Sequence, residues 1–264
     1  MWNIQTISAK SALILIAAAS LGTMASPSPT HADESDAKSL LKAMSDYLGA
    51  QTSLSFDYDT SLELITAEGQ RLGLASSGAV EVNRPDKVRA TRTGGFADVQ
   101  MVFDGKTLTL LGKNLNVYAQ AEVPGTIDYL LDELRDKFHR PLPAADLLMS
   151  DPYSQLMPLV TDIKDIGSGV IRGQECDHLA FRTEDVDWQI WIAQGATPFP
   201  CRYVITSKKV DGGPQYTLDV RNWKASTETA SVDFSFKAPE GATLVKPEEL
   251  QDIDELPAMF VPKQ

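Results

Sequence analysis

The chain has 264 residues, enough for one domain with a sizeable core. Its 36 acidic against 24 basic side chains leave a net charge of −12 at pH 7. That balance argues against nucleic acid, whose binding rests on Lys and Arg contacts to phosphate, and against electrostatic adhesion to an anionic membrane surface.

The first acidic residue is Asp33, and Lys10 is the cation that precedes it. The apolar run Leu13-Ile14-Leu15-Ile16-Ala17-Ala18-Ala19 falls short of the about 20 residues that span a bilayer. It has the length of the hydrophobic region of a secretory signal. Small residues stand at the −3 and −1 positions in Thr23-Met24-Ala25 and in Thr30-His31-Ala32. The expectation is a leader over 1–32, cleavage after Ala32, and a single soluble exported domain over 33–264. No second long apolar run follows, so an integral membrane protein is not expected.

Asp36 to Gly49 reads as a helix, with Leu40, Leu41, Met44 and Leu48 on one face. The period then changes to two. Leu54, Phe56 and Tyr58 alternate with Ser55, Asp57 and Asp59, and Leu62 and Leu64 continue. Ala79–Val82 is a short strand closed by Asn83-Arg84-Pro85-Asp86, and Lys87–Thr93 is the next. Asp98–Phe103 runs into Asp104-Gly105, a hairpin signal, and returns as Thr107–Leu111. Asn116–Gln120 follows, and Pro124-Gly125 ends the series.

Residues 126–160 break the pattern. Ile127, Leu130, Leu131 and Leu134 mark an amphipathic helix. Pro141 and Pro143 interrupt, and Ala144–Met149 and Tyr153–Val160 read as two further short helices. Strand patterns resume in Val170–Thr183, Val186–Ala193, Cys201–Val210, Gln215–Trp223 and Ser231–Lys237, before the turn Pro239-Glu240-Gly241 and an acidic tail. Ten or eleven strands joined by tight turns predict a mainly β (α+β) fold. Its core is a single, strongly curved antiparallel sheet. The N-terminal helix and the 126–160 insert are expected to cover its concave side, the insert as a lid.

No phosphate-binding Gly loop and no Gly-x-Ser-x-Gly elbow occurs. His31 falls in the expected leader; His139, beside a helix end, and His178, on a strand, read as structural. No enzyme activity, cofactor or metal is expected. Trp188, Ile190 and Ile192 share one strand face while Trp191 takes the other, so one tryptophan is either covered or lines a cavity. Cys176 and Cys201 are expected to pair in an oxidising compartment. Free thiols, or half of a metal site at Cys176-Asp177-His178, are the alternatives. In a plain meander the two cysteines lie two strands apart, about 9.5 Å, whereas a disulfide wants Cα atoms within about 7 Å. The bond therefore requires the 194–200 loop to fold Cys201 back, or a different strand order.

The blocks Cys176-Asp177-His178-Leu179-Ala180-Phe181-Arg182, Asp187-Trp188-Gln189-Ile190-Trp191-Ile192 and Pro198-Phe199-Pro200-Cys201-Arg202-Tyr203-Val204-Ile205-Thr206 resemble the signature region of a family of periplasmic proteins of unknown function. That family is similar in turn to the LolA/LolB lipoprotein-carrier superfamily with its RseB-like and LppX-like members. Phe234-Ser235-Phe236 with Pro239-Glu240-Gly241 resembles their final strand and turn. The resemblance implies a half-open β-barrel lidded by helices, located in the periplasm. Its implied role is non-enzymatic binding of a lipid, an acyl chain or a lipoprotein's acyl groups. The alternative is an envelope interaction or sensor protein holding a polypeptide in its groove. The expected cavity residues are Val99, Met101, Phe103, Leu108 and Leu110 of the alternating strands, with Leu130, Leu134 and Leu148 of the lid.

Overall fold

The computed structural model describes residues 34–95, 97–138, 142–226 and 232–247. The expected leader, His139, Pro141, Ser231 and most of the acidic tail lie outside the described residues.

Helix α1 (Glu34–Ala50) is followed by a first meander: β1 (Ser53–Ile65), β2 (Arg71–Asn83), β3 (Lys87–Gly94), β4 (Asp98–Phe103), β5 (Thr107–Gly112) and β6 (Val117–Glu122). The insert holds α2 (Ile127–Asp136), a 3-10 turn (Ala145–Leu148) and α3 (Pro152–Leu156). A second meander comprises β7 (Asp162–Ile171), β8 (Gln174–Arg182), β9 (Val186–Ala193), β10 (Pro200–Ser207) and β11 (Gln215–Ala225), and β12 (Thr243–Leu244) is the last strand among the described residues. The twelve strands among the described residues form one open sheet in the order β12-β6-β5-β4-β3-β2-β1-β11-β10-β9-β8-β7. Each neighbouring pair is antiparallel except β12 with β6.

The long-range pairing of β1 with β11, Leu54 opposite Ala225 through Leu62 opposite Tyr216, joins the two meanders. It leaves β6 near one edge and β7 at the other. The chain between them must cross the hollow of the sheet, and the helical insert is that crossing. Bulges shift the register at Ser55/Asp57, Asp165/Gly167 and Pro200/Arg202, and each bends its strand.

Period-two burial sends one row of each strand inward. Leu54, Phe56, Val80, Val82, Val88 and Phe103 meet Leu179, Phe181, Trp188, Ile190 and Tyr203 in one core. The stripe Ala37, Leu41, Met44 and Leu48 of α1 and the stripe Ile127, Leu130, Leu131 and Leu134 of α2 seal it. Thr126 starts α2 by accepting from the Tyr129 amide at 3.2 Å, which satisfies one of the helix's orphan donors.

Three expectations are corrected. Strand β2 is thirteen residues long rather than Ala79–Val82 alone; Gly73, Ser76, Ser77 and Gly78 erase the alternation, while β1 and β3 supply the ladder on both sides. The run Val170–Thr183 is a hairpin. Arg172 and Gly173 turn at φ 52° and 83°, the geometry of a type I′ turn that splits β7 from β8. The described part of Ser231–Lys237 forms no strand. Both neighbours of β11 are already taken by β1 and β10, so the segment lies as a strap on the outer face. Phe234 is buried there, Arg89 donates from Nη2 to the carbonyls of Asp233 and Ser235, and the Phe236 ring sits 5.1 Å from that of Tyr118. The strap ends as β12, paired in parallel with β6.

Candidate functional site

A cavity of about 220 Å³ lies between the inner face of the first meander and the insert. Its floor is built from alternate residues of adjacent strands: Leu54, Phe56 and Tyr58 of β1, Val80 of β2, and Ala90 of β3. Tyr216, Leu218 and Val220 of β11 continue it. A bulge with Asn222 at φ 51° brings Trp223 to the cavity wall. There Trp223 stacks on Phe199 (centroids 5.3 Å, planes 5° apart) and on Phe56 (5.6 Å), and donates from Nε1 to Tyr47 Oη at 3.2 Å.

Of the eight cavity residues expected from sequence, Val99, Met101, Leu108 and Leu110 lie in the floor, and Leu134 and Leu148 in the roof. Phe103 and Leu130, both 0% exposed, sit in the filled core and do not line this cavity. Phe103 pairs with Val88 and Leu108 one inner step beyond Met101, where helix side chains fill the hollow. Sequence reasoning missed the aromatics of β1 and β11, because period two marks an inward face but not which distant strand shares it.

It also missed Arg92. Val88, Ala90 and Arg92 share the inward parity of β3, and Arg92 lines the cavity opposite Val99 and Gly78. The Tyr58 ring lies over Gly78, and its hydroxyl donates to the Thr91 carbonyl at 2.8 Å. A Cβ at position 78 would stand 2.6 Å from Tyr58 Cζ and 1.9 Å from the Thr91 carbonyl oxygen. Burial raises the Tyr58 and Tyr216 hydroxyl pKa values above the usual phenol value, against an opposing pull from the Arg92 charge. Both hydroxyls therefore stay protonated at neutral pH. This end of the cavity is polar and the rest is apolar.

The roof is pinned at one end. Arg84, in the turn after β2, donates to the carbonyls of Leu148 (2.7 Å) and Met149 (3.2 Å). Asp128 of α2 accepts from the Ser150 amide at 2.9 Å. Asp151 caps α3 through the Ser154 amide and accepts from Ser45 Oγ of α1, both at 3.1 Å. At the other end of the roof Leu142 is 37% exposed and Ala144 adopts φ 64°. Between them Asp146 is half-buried, and desolvation raises its carboxyl pKa despite its own backbone amide and the Arg135 charge.

Neither strand tryptophan of β9 lines the cavity. Trp188 is buried inside, stacked on Phe181 (3.9 Å) and edge-on to Tyr203 (5.7 Å). Trp191 lies on the outer face, stacked on His178 at 3.9 Å with the Arg202 guanidinium 5.9 Å from its ring. Strands β8, β9 and β10 do form a plain meander, yet Cys201 occupies the bulge between Pro200 and Arg202. Its sulfur comes within 2.9 Å of Cys176 Sγ, beside Ala193 of the intervening strand, which pairs with Cys176. Both are free, buried thiols whose pKa values desolvation raises; the sulfurs stand farther apart than the about 2.05 Å of a disulfide. Among the described residues no group of three His, Cys, Asp or Glu could hold a metal ion, and no helix is long and apolar enough to cross a membrane.

The model of a family described as predicted periplasmic protein (DUF2092) matches residues 37–246. No curated protein matches the chain in sequence. Among solved structures the chain is similar to lipoprotein LppX of Mycobacterium tuberculosis, with 17% identity and a TM-score of 0.50 over 76% of this chain and 100% of that one. It is also similar to an uncharacterized conserved protein from Thermus thermophilus, with 14% identity and a TM-score of 0.48 over 80% and 98%. A third is a chain of the MucA/MucB complex of Pseudomonas aeruginosa, with 16% identity and a TM-score of 0.44 over 77% and 62%. The likeness to LppX is one of fold: an open, curved antiparallel sheet with helices in its hollow.

Proposed function

The chain belongs to this family of predicted periplasmic proteins, and on that premise we propose that it is a non-enzymatic carrier of a hydrophobic ligand held in the sheet's hollow. In this reading 1–32 is a cleaved leader, 33–264 is one domain, and 126–160 is the lid. The observation that carries the reading is the apolar cavity of about 220 Å³ beneath a roof pinned at one end. At about 30 Å³ per water-sized group the space takes roughly seven such groups, the room of one medium acyl chain. Burying seven methylenes at about 0.8 kcal/mol each is worth roughly 6 kcal/mol before ordering costs.

A polypeptide in the same space is the rival. Its backbone amides and carbonyls would need partners inside, and a floor of Leu, Val, Met and Phe side chains supplies few. Mass spectrometry of the organic extract of protein purified from periplasm tests the choice. The carrier reading expects a chain-bearing amphiphile at near-stoichiometric amount. A clean extract together with a stoichiometric bound polypeptide would overturn it.

A further inference from the structure

We propose that the ligand is a single acyl chain ending in a neutral carbonyl, as in an ester, and that the Tyr216 hydroxyl binds that carbonyl. The inference rests on the carrier reading and deepens it. Among the described residues that line the cavity, five carry polar side chains: Tyr58, Thr91, Arg92, Tyr216 and Trp223. Four of them are engaged within the protein. Tyr58 gives its one proton to the Thr91 carbonyl, Thr91 Oγ1 accepts from the Ala79 amide at 3.2 Å, and Trp223 Nε1 donates to Tyr47. Arg92 has its partner too. The Tyr216 hydroxyl makes no hydrogen bond with a described residue; burial, the Tyr58 oxygen and the Arg92 charge are what act on it.

Tyr216 is held where such a bond can form. Its backbone pairs with Leu62 on one side and with Ile205 on the other. The next inward residues of β11 are Leu218 and Val220, so polarity ends one step from the phenol. A ligand that fills the hollow displaces water from that hydroxyl, and a phenol proton left without an acceptor in an apolar site is costly. A carbonyl oxygen placed there accepts the proton while the alkyl chain lies along Leu218 and Val220. Tyr58 cannot substitute, since a phenol has one proton to give and that of Tyr58 is already given. A carboxylate fits worse. It would shed its hydration in an apolar hollow whose Arg92 is already engaged, in a protein of net charge −12. Volume adds that about 220 Å³ suits one chain and not a multi-chain lipid.

The test is displacement of an environment-sensitive apolar dye from the delipidated protein at pH 8 by methyl octanoate, octanoate and nonane, with the infrared carbonyl stretch of the bound ester as a second readout. The cost of an unmade buried hydrogen bond predicts that Tyr216→Phe weakens the ester, relative to nonane, by roughly fivefold to a hundredfold. The native protein should hold the ester more tightly than the acid. Its bound ester should show a carbonyl stretch lowered by hydrogen bonding, and the Phe variant should lose that shift. If Tyr216→Phe affects ester and nonane alike, if the native stretch matches that in an alkane solvent, or if the acid binds as tightly as the ester, the carbonyl inference is overturned and the carrier reading stands. If none of the three displaces the dye, or no dye binds, both fall. The stretch and the acid-to-ester ratio of the native protein decide the matter even if the Phe variant does not fold.

Discussion

Tyr58, Gly78 and Arg92 are cross-strand neighbours on the inner face of β1, β2 and β3, and each has its effect through the next. Their parity was legible: β1 alternates clearly, and Arg92 shares the parity of Val88 and Ala90. Their meeting was not, because Gly78 leaves no hydrophobic signal and the expected strand began only at Ala79. Leu130 escapes the sequence pattern for a related reason. Its helical stripe shows that it points inward, but not whether filled core or space awaits it. In the roof, Asp146 carries the clearest pH signature. Its folded pKa is raised by burial, so its ionised form opposes folding at neutral pH. That penalty is present above the folded pKa and fades as pH falls through it toward the unfolded value. Asp146→Asn should therefore raise the melting temperature at pH 7, and the gap to the native protein should close on acidification. A gap that widens at acid pH would refute the assignment.

At the scale of elements, the helices were the most legible parts, because α1 and α2 carry stripes that any core would use. The outer strap was the least legible. Val232, Phe234 and Phe236 alternate as a strand does, but the alternation serves a segment lying against a sheet face rather than a ladder. Removing its buried anchor by Phe234→Ala should cost about 3 kcal/mol. It should also free β12 from β6, seen as faster amide exchange at Val245, whose N–H donates to the Tyr118 carbonyl at 2.9 Å. Unchanged exchange there would show that β12 holds without the strap. The expected spacing of Cys176 and Cys201 across two strands was sound as far as the meander goes. The bulge at Cys201 is what brings the sulfurs together. An oxidant of the exported compartment that takes two electrons and two protons from the pair would leave a bond tying β8 to β10. We expect that bond in protein taken from the periplasm, worth roughly 3 kcal/mol for a loop of this size. Titration of the denatured, unreduced protein should find no free thiol; two would refute the bond.

The whole molecule follows from one long-range fact, the pairing of β1 with β11. It places the ends of the two meanders at opposite edges and sends the insert across the hollow. Local patterns showed strands, then short helices, then strands, and so a curved sheet with a helical cover. They could not show the strand order, because pairing between residues about 160 apart leaves no local trace. The order decides which residues border space and which fill core, so the site was only partly legible. Six of the expected residues line the cavity, while its aromatic wall and Arg92 came from the far pairing and the parity of β3. The central claim is that this hollow takes an apolar ligand, and titration of the delipidated protein with an environment-sensitive apolar dye tests it most directly. We expect one dye per chain, and loss of binding in Met101→Glu with the circular dichroism spectrum unchanged. No saturable binding, or binding that survives Met101→Glu in a folded protein, would contradict it.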